Sequence, residues 1–167
     1  ERYADDVVIH CKSESQAKLI KWKIEERLKS CKLEAHPVKT KIVYCKDDLR
    51  QGSYTHESFD FLGFTFRPRC SKNRNGKFFV NFSPAIAGKA VKSIMAIIRG
   101  WRIHSKSYYS LDDISHVFNA VIRGWINYYG SYYKSGLYPL LRHLNRRLVR
   151  WAQRKYKRYR HQRGATH

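Results

Sequence analysis

Two adjacent carboxylates stand almost at the start of the sequence, in Arg2-Tyr3-Ala4-Asp5-Asp6. Hard oxygen donors of this kind suit Mg²⁺, which keeps several waters and needs few protein ligands. A paired aspartate beside an aromatic residue is equally an ordinary polar turn, and the tetrapeptide alone does not separate the two. Val7, Val8 and Ile9 follow it, so the local form expected is a strand, a tight turn at Ala4-Asp5-Asp6 and a second strand. The four cysteines, at 11, 31, 45 and 70, form no CxxC pair and do not cluster with histidine. Zinc and a disulfide framework are both poorly supported by that spacing, and reduced thiols fit it better.

A second kind of chemistry lies in the charge. The formal net charge is +21 over 167 residues, and it is unevenly placed. Residues 1–60 hold 12 Lys/Arg against 11 Asp/Glu, whereas residues 61–167 hold 22 against 2, with no acid after Asp113. Such asymmetry implies a polyanion, and nucleic acid fits it better than an anionic membrane surface. An apolar fraction of 43% excludes a disordered tail. No signal peptide is present and no apolar run approaches the roughly 18 residues of a membrane span. The setting expected is therefore soluble and cytoplasmic.

The elements that must position these residues read as α+β. Ser13 and Gln16 make a capping-box pattern ahead of a helix whose apolar stripe is Ala17, Ile20, Ile24 and Leu28. Pro37 and the alternation around Ile42 predict a turn and a strand, and residues 46–58 a polar loop. Two strands follow, in "FDFLGFTFRPR" and "KFFVNF", with Asn75-Gly76 favouring a hairpin between them. Ser83-Pro84 reads as an N-cap with proline at the first helical position. Three helices are expected from there. The first carries Val91, Ile94, Ile98 and Trp101. The second starts at Ser110, with Asp113 completing a capping box and Ile114, Val117, Val121 and Trp125 inward. The third runs from about Leu137, with Leu141, Leu144, Leu148 and Trp151 inward and arginines outward. The boundary between the α/β piece and the basic helical piece is placed near Phe82.

With that order in place, YADD resembles the YxDD motif of reverse transcriptases, which sits on a strand turn of the polymerase palm. "HPVKTKIVYC" and "FDFLGFTF" resemble the two segments that follow in intron-encoded reverse transcriptases, the second being the primer-grip hairpin. "NAVIRGWINYYGSYY" is similar to the GW-x-NYY signature of the maturase-specific region of group II intron proteins, which forms the thumb. The resemblance runs from Tyr3 to about Tyr159. It implies a partial palm over 1–82, a three-helix thumb over 83–160 and a basic tail over 161–167.

What it implies about the site follows residue by residue. Asp5 is the expected direct Mg²⁺ ligand and Asp6 its assistant, with Tyr3 backing the turn near primer or nucleotide. Lys39 falls at the lysine of the P-x-KT segment, near the triphosphate, although a surface lysine is the plain alternative. Phe61, Leu62 and Gly63 correspond to the primer grip. Arg123, Arg142, Arg146, Arg147, Arg150, Arg154, Lys155, Lys157 and Arg158 are the expected nucleic-acid contacts, with Tyr128, Tyr129, Tyr132 and Tyr133 as stacking residues. Trp125 continues an apolar stripe and is expected to pack the bundle. The implied partners are intron RNA, a template–primer duplex, DNA and deoxynucleoside triphosphates. The family site needs a further aspartate and a fingers region that this sequence lacks, so residues 1–167 alone are expected to be inactive as a polymerase. The other reading is a maturase-type splicing cofactor, or a decayed remnant, that binds RNA without polymerising. The tail holds two histidines without paired cysteine or acid, so no endonuclease metal site is expected.

Overall fold

The computed structural model describes residues 1–50 and 52–159. The fold is α+β, with short antiparallel strands first and helices in the C-terminal part. By internal contacts the chain divides into two compact units. Glu1–Phe61 and Phe66–Phe82 form one, and Leu62–Thr65 with Ser83–His167 form the other.

In the first unit, strands β1 (Arg2–Tyr3) and β2 (Asp6–Val7) pair antiparallel, with Arg2 opposite Val7 and Tyr3 opposite Asp6. Helix α1 (Glu14–Ser30) is capped as its sequence dictates. The Ser13 hydroxyl accepts from the Gln16 N–H, and the Gln16 side chain accepts from the Lys12 N–H. Its apolar stripe is less covered than its periodicity implies: Ala17, Ile20 and Leu28 are half-buried, and Ile24 is exposed. The strand expected around Ile42 does not form. A strand needs a neighbouring ladder, and here the Tyr44 N–H finds only the His56 carbonyl. The polar loop after it is better anchored than its composition suggests. Asp48 exchanges hydrogen bonds with the backbone of Val80, and Asp47 holds Arg50 in a tight turn.

Strands β3 (Phe59–Phe61), β4 (Phe64–Lys72) and β5 (Phe78–Ile86) form one sheet in that order. Asn75-Gly76 makes the β4–β5 hairpin as expected, with the Asn73 carboxamide accepting from the Lys77 N–H. Ser83-Pro84 does not start a helix; both lie inside β5. Proline lacks an N–H to give to a ladder, but β5 is an edge strand, where that loss is tolerated. Burial of Ala85, Ile86 and Ala87 in the core carries the extended chain onward, and helix α2 (Gly88–Gly100) begins only then.

Helices α2, α3 (Leu111–Tyr129) and α4 (Tyr138–Lys155) enclose a single core. Every fully buried apolar residue among the described residues belongs to this second unit, and Ile98 and Ile103 are the most deeply sunk. The reciprocal Ser110–Asp113 capping box forms as expected, and the Ser110 N–H and hydroxyl, both donating to the Asp113 carboxylate, hold that carboxyl below the usual range. The buried face of α3 is rotated from the expected one. Ile114 and Phe118 are buried with Ile122 and Trp125 beside them, while Val117 and Val121 point to solvent. Trp101 explains the rotation. Its indole stacks on Phe118 at 4.4 Å and on Trp125 at 5.5 Å, which selects the Phe118 side of the helix.

Candidate carboxylate turn and nucleic-acid interface

The carboxylate pair sits where the β1–β2 hairpin turns. Ala4 adopts a left-handed conformation (φ 51°), and its carbonyl accepts from the Arg2 guanidinium at 3.0 Å. Asp5 and Asp6 are exposed, and so is Tyr3, which is therefore not a core aromatic here. The donors are of the right hardness for Mg²⁺, and they are two. Among the described residues no cluster of three or more His, Cys, Asp or Glu side chains is placed to hold a metal ion. The pair thus fits part of a divalent-ion site. Lys39 lies in the turn at 37–39, closed by the Thr40 N–H on the His36 carbonyl, with its side chain exposed. No hydrogen bond or ion pair joins it to Asp5 or Asp6.

The Leu62-Gly63 turn is more constrained. Both residues have positive φ, 49° and 77°, as a two-residue hairpin of the primed type requires. Glycine adopts this freely, but a left-handed leucine costs about 1–2 kcal/mol. The contacts that offset this cost come from within the second unit. The Tyr128 hydroxyl donates to the Leu62 carbonyl at 2.9 Å, and the Ala87 N–H donates to the Gly63 carbonyl at 2.9 Å. The Tyr129 hydroxyl lies so close to Gly63 that a Cβ there would meet it at 2.9 Å. Phe64 is buried against the rings of Tyr128, Tyr129 and Tyr132, with centroids 5.2, 5.4 and 5.6 Å away. Burial, with Tyr128 adding to it, pushes the Tyr129 phenol above its usual range. These tyrosines were legible as aromatic residues of a signature; their partner in the Leu62-Gly63 turn was not.

On α4, Arg142, Arg146 and Arg150 are exposed at four-residue spacing, and none is in an ion pair among the described residues. The three salt bridges of the described residues all lie between Glu14 and Arg50. Arg147 is half-buried, and Arg123 is exposed on α3. Three of the expected contacts have other engagements. Lys155 is half-buried, donates to the Tyr109 carbonyl and lies over the Trp151 ring, so it ties α4 to the segment before α3. Arg154 donates to the His104 carbonyl at 3.3 Å, and Arg158 lies over the Tyr159 ring at 4.6 Å. Lys157 is exposed, and the tail expected over 161–167 lies outside the described residues.

Two histidines among these arginines were not singled out by the sequence. His104 Nδ1 and His143 Nε2 are buried with no hydrogen-bond partner among the described residues, and His104 shares an open groove with Arg150, Gln153 and Arg154. Burial, and then the surrounding arginines (Arg154, Arg147, Arg102 and Arg150 for His104), hold both imidazoles below the usual histidine value. The unfolded chain therefore binds more protons than the folded one below about pH 6.5. This part of the stability is complete above that pH and is lost as pH falls through the folded values. Thermal melts are expected to show a fall in Tm from pH 7.5 to pH 5 that is clearly smaller in a His104→Gln/His143→Gln double variant. The depressed carboxyls of Asp47 and Asp113 lose their contribution only in a lower window, below about pH 4.

The comparisons with known proteins divide along the chain. Residues 91–167 match the family model described as the group II intron maturase-specific domain, and residues 1–66 match that of reverse transcriptase (RNA-dependent DNA polymerase). No curated protein and no solved structure matches significantly. Among the described residues no helix is long and apolar enough to cross a membrane.

Proposed function

The chain belongs to the group II intron-encoded reverse transcriptase/maturase family, and on that premise we propose that it is the primer-side palm and thumb of such an enzyme. In this reading residues 1–82 supply the palm end and primer grip, residues 83–160 the thumb, and residues 161–167 a basic extension. Asp5 and Asp6 supply two of the carboxylates for Mg²⁺, and the site is completed by an acidic residue outside this sequence. Bound there, paired divalent ions would activate the primer 3′-hydroxyl and stabilise the leaving pyrophosphate. Lys39 serves the triphosphate, and Phe61, Leu62 and Gly63 meet the primer end. The four free cysteines suit a reducing, cytoplasmic setting.

The thumb binds the template–primer duplex and intron RNA by charge and shape. An A-form duplex presents phosphates and 2′-hydroxyls across a wide minor groove, so a surface of unpaired arginines grips it with little sequence preference. The observation that carries the reading is that α4 presents Arg142, Arg146 and Arg150 to solvent, in no ion pair among the described residues. Such cations exchange condensed counterions for phosphates, and the affinity then depends steeply on salt.

Two measurements on residues 1–167 test this. Fluorescence anisotropy with an RNA–DNA duplex is expected to show binding that weakens steeply between 50 and 200 mM salt; a flat salt dependence sinks the thumb assignment. Primer extension with Mg²⁺ and deoxynucleotides is expected to give no product. Robust synthesis would show that Asp5 and Asp6 suffice, against an incomplete site.

A further inference from the structure

We propose that Tyr128 and Tyr129 of α3 are positioning residues that set the Leu62-Gly63 turn to receive the recessed 3′ end of a nucleic-acid strand. The inference rests on the reading of Phe61, Leu62 and Gly63 as the segment that meets the primer, and deepens it.

The turn does not choose its conformation by itself. A two-residue primed turn favours Asn-Gly or Gly-Gly, and leucine at its first position is a poor choice. A strained residue persists only where its surroundings over-determine it. Here both carbonyls of the turn are held from elsewhere in the chain, Leu62 by the Tyr128 hydroxyl and Gly63 by the Ala87 N–H. The Tyr129 hydroxyl fills the space beside Gly63 that a side chain would take. The Phe64 ring, wedged among three tyrosines, fixes where the following strand leaves the turn.

What this leaves presented has the chemistry of a strand end. Leu62 is 38% exposed, and Tyr128, whose hydroxyl anchors its carbonyl, is 49% exposed. An aliphatic residue beside a half-exposed tyrosine suits the sugar and base of a terminal nucleotide, because base–aromatic stacking tolerates any base. The phosphates are left to the arginines. Tyr128 thereby has two tasks, since its hydroxyl sets the turn while about half of the residue stays open to solvent beside it. A tyrosine of the maturase-specific segment would then govern the geometry at the primer end.

The test uses residues 1–167 and two RNA–DNA duplexes of equal length, one blunt and one with a recessed 3′ end. The wild type is expected to prefer the recessed end by about fivefold, roughly the worth of one well-made hydrogen bond. Tyr128→Phe keeps the ring and removes only the hydroxyl. It is expected to erase the preference by lowering recessed-end affinity about fivefold more than blunt-duplex affinity, roughly the worth of that hydrogen bond. Faster hydrogen exchange should be confined to residues 62–64. Gly63→Ala, which drives Tyr129 off the turn, is expected to act in the same way. A merely structural tyrosine would weaken both duplexes together, and that outcome overturns the proposal. So does a wild-type preference that both variants retain. If the wild type binds the two duplexes equally, the primer-contact reading fails and the proposal fails with it.

Discussion

Changing Arg142, Arg146 and Arg150 together to glutamine is expected to lower affinity for an RNA–DNA duplex on the order of a hundredfold at 0.15 M salt. Each phosphate contact releases nearly one condensed counterion, so three lost contacts flatten the slope of log K against log salt by about three. At 0.15 M that change in slope is worth about two decades of affinity. These three are chosen because no hydrogen bond or ion pair engages them among the described residues. They are exposed and stand on successive turns of α4 over about 12 Å of helix axis.

Fold stability should move little in the triple variant, because exposed substitutions away from caps and cores usually stay within about 0.5 kcal/mol. Removing Arg146 and Arg150 also relieves like charge around His143. Lys155→Gln is the informative contrast. Its ammonium serves the Tyr109 carbonyl, so this single change is expected to lower Tm more than the triple change does, with a smaller effect on the salt slope. Titrations at four salt concentrations decide the matter, and an unchanged slope in the triple variant would remove α4 from the interface.

The contrast between Arg150 and Lys155 also marks what the sequence makes legible. The excess of charge after residue 60 identifies a polyanion-binding piece, since charge counts need no coordinates. Which cations are free is decided by carbonyls such as those of Tyr109 and His104, which lie about fifty residues away in the chain. Local devices follow the same division. The Ser13 and Ser110 caps and the Asn75-Gly76 turn form as their residue types require, because each is satisfied within a few positions. Ser83-Pro84 has an equally good helix-start pattern and yet extends β5, because burial of Ala85–Ala87 outweighs a local cap. The periodicity of α3 permits two apolar faces, and the indole of Trp101 selects between them. YADD is recognisable as four residues and as a turn. Among the described residues no group of three His, Cys, Asp or Glu forms around it, so the pair is more legible as a family mark than as a site.

Ile98→Ala is expected to have the largest effect on stability of any single change in the helical unit. Ile98 is 1% exposed, at the centre of a cluster that draws Ile94 from its own helix, Ile114 and Phe118 from α3, and Leu140 and Leu144 from α4. Truncating a buried isoleucine loses the transfer free energy of three carbons and leaves a cavity that helices on either side cannot fully close. Together these cost about 2–5 kcal/mol. Against a typical total of about 5–15 kcal/mol, that is a third or more of what holds such a unit folded. Ile98→Val removes one methylene and should cost about 0.5–1.5 kcal/mol. Val121→Ala lies on the exposed face of α3, 44% open to water, and should cost less than either. The ranking is sharper than any one value, because expectation from sequence places Val121 inward and the rotated face places it outward. Urea unfolding of the three variants, followed by near-ultraviolet circular dichroism of Trp101 and Trp125, would measure it. A Val121→Ala cost equal to that of Ile98→Ala would mean that α3 packs on its Val117–Val121 side. In that case Phe118 could not stack on Trp101, and the helix would no longer deliver Tyr128 to the Leu62 carbonyl.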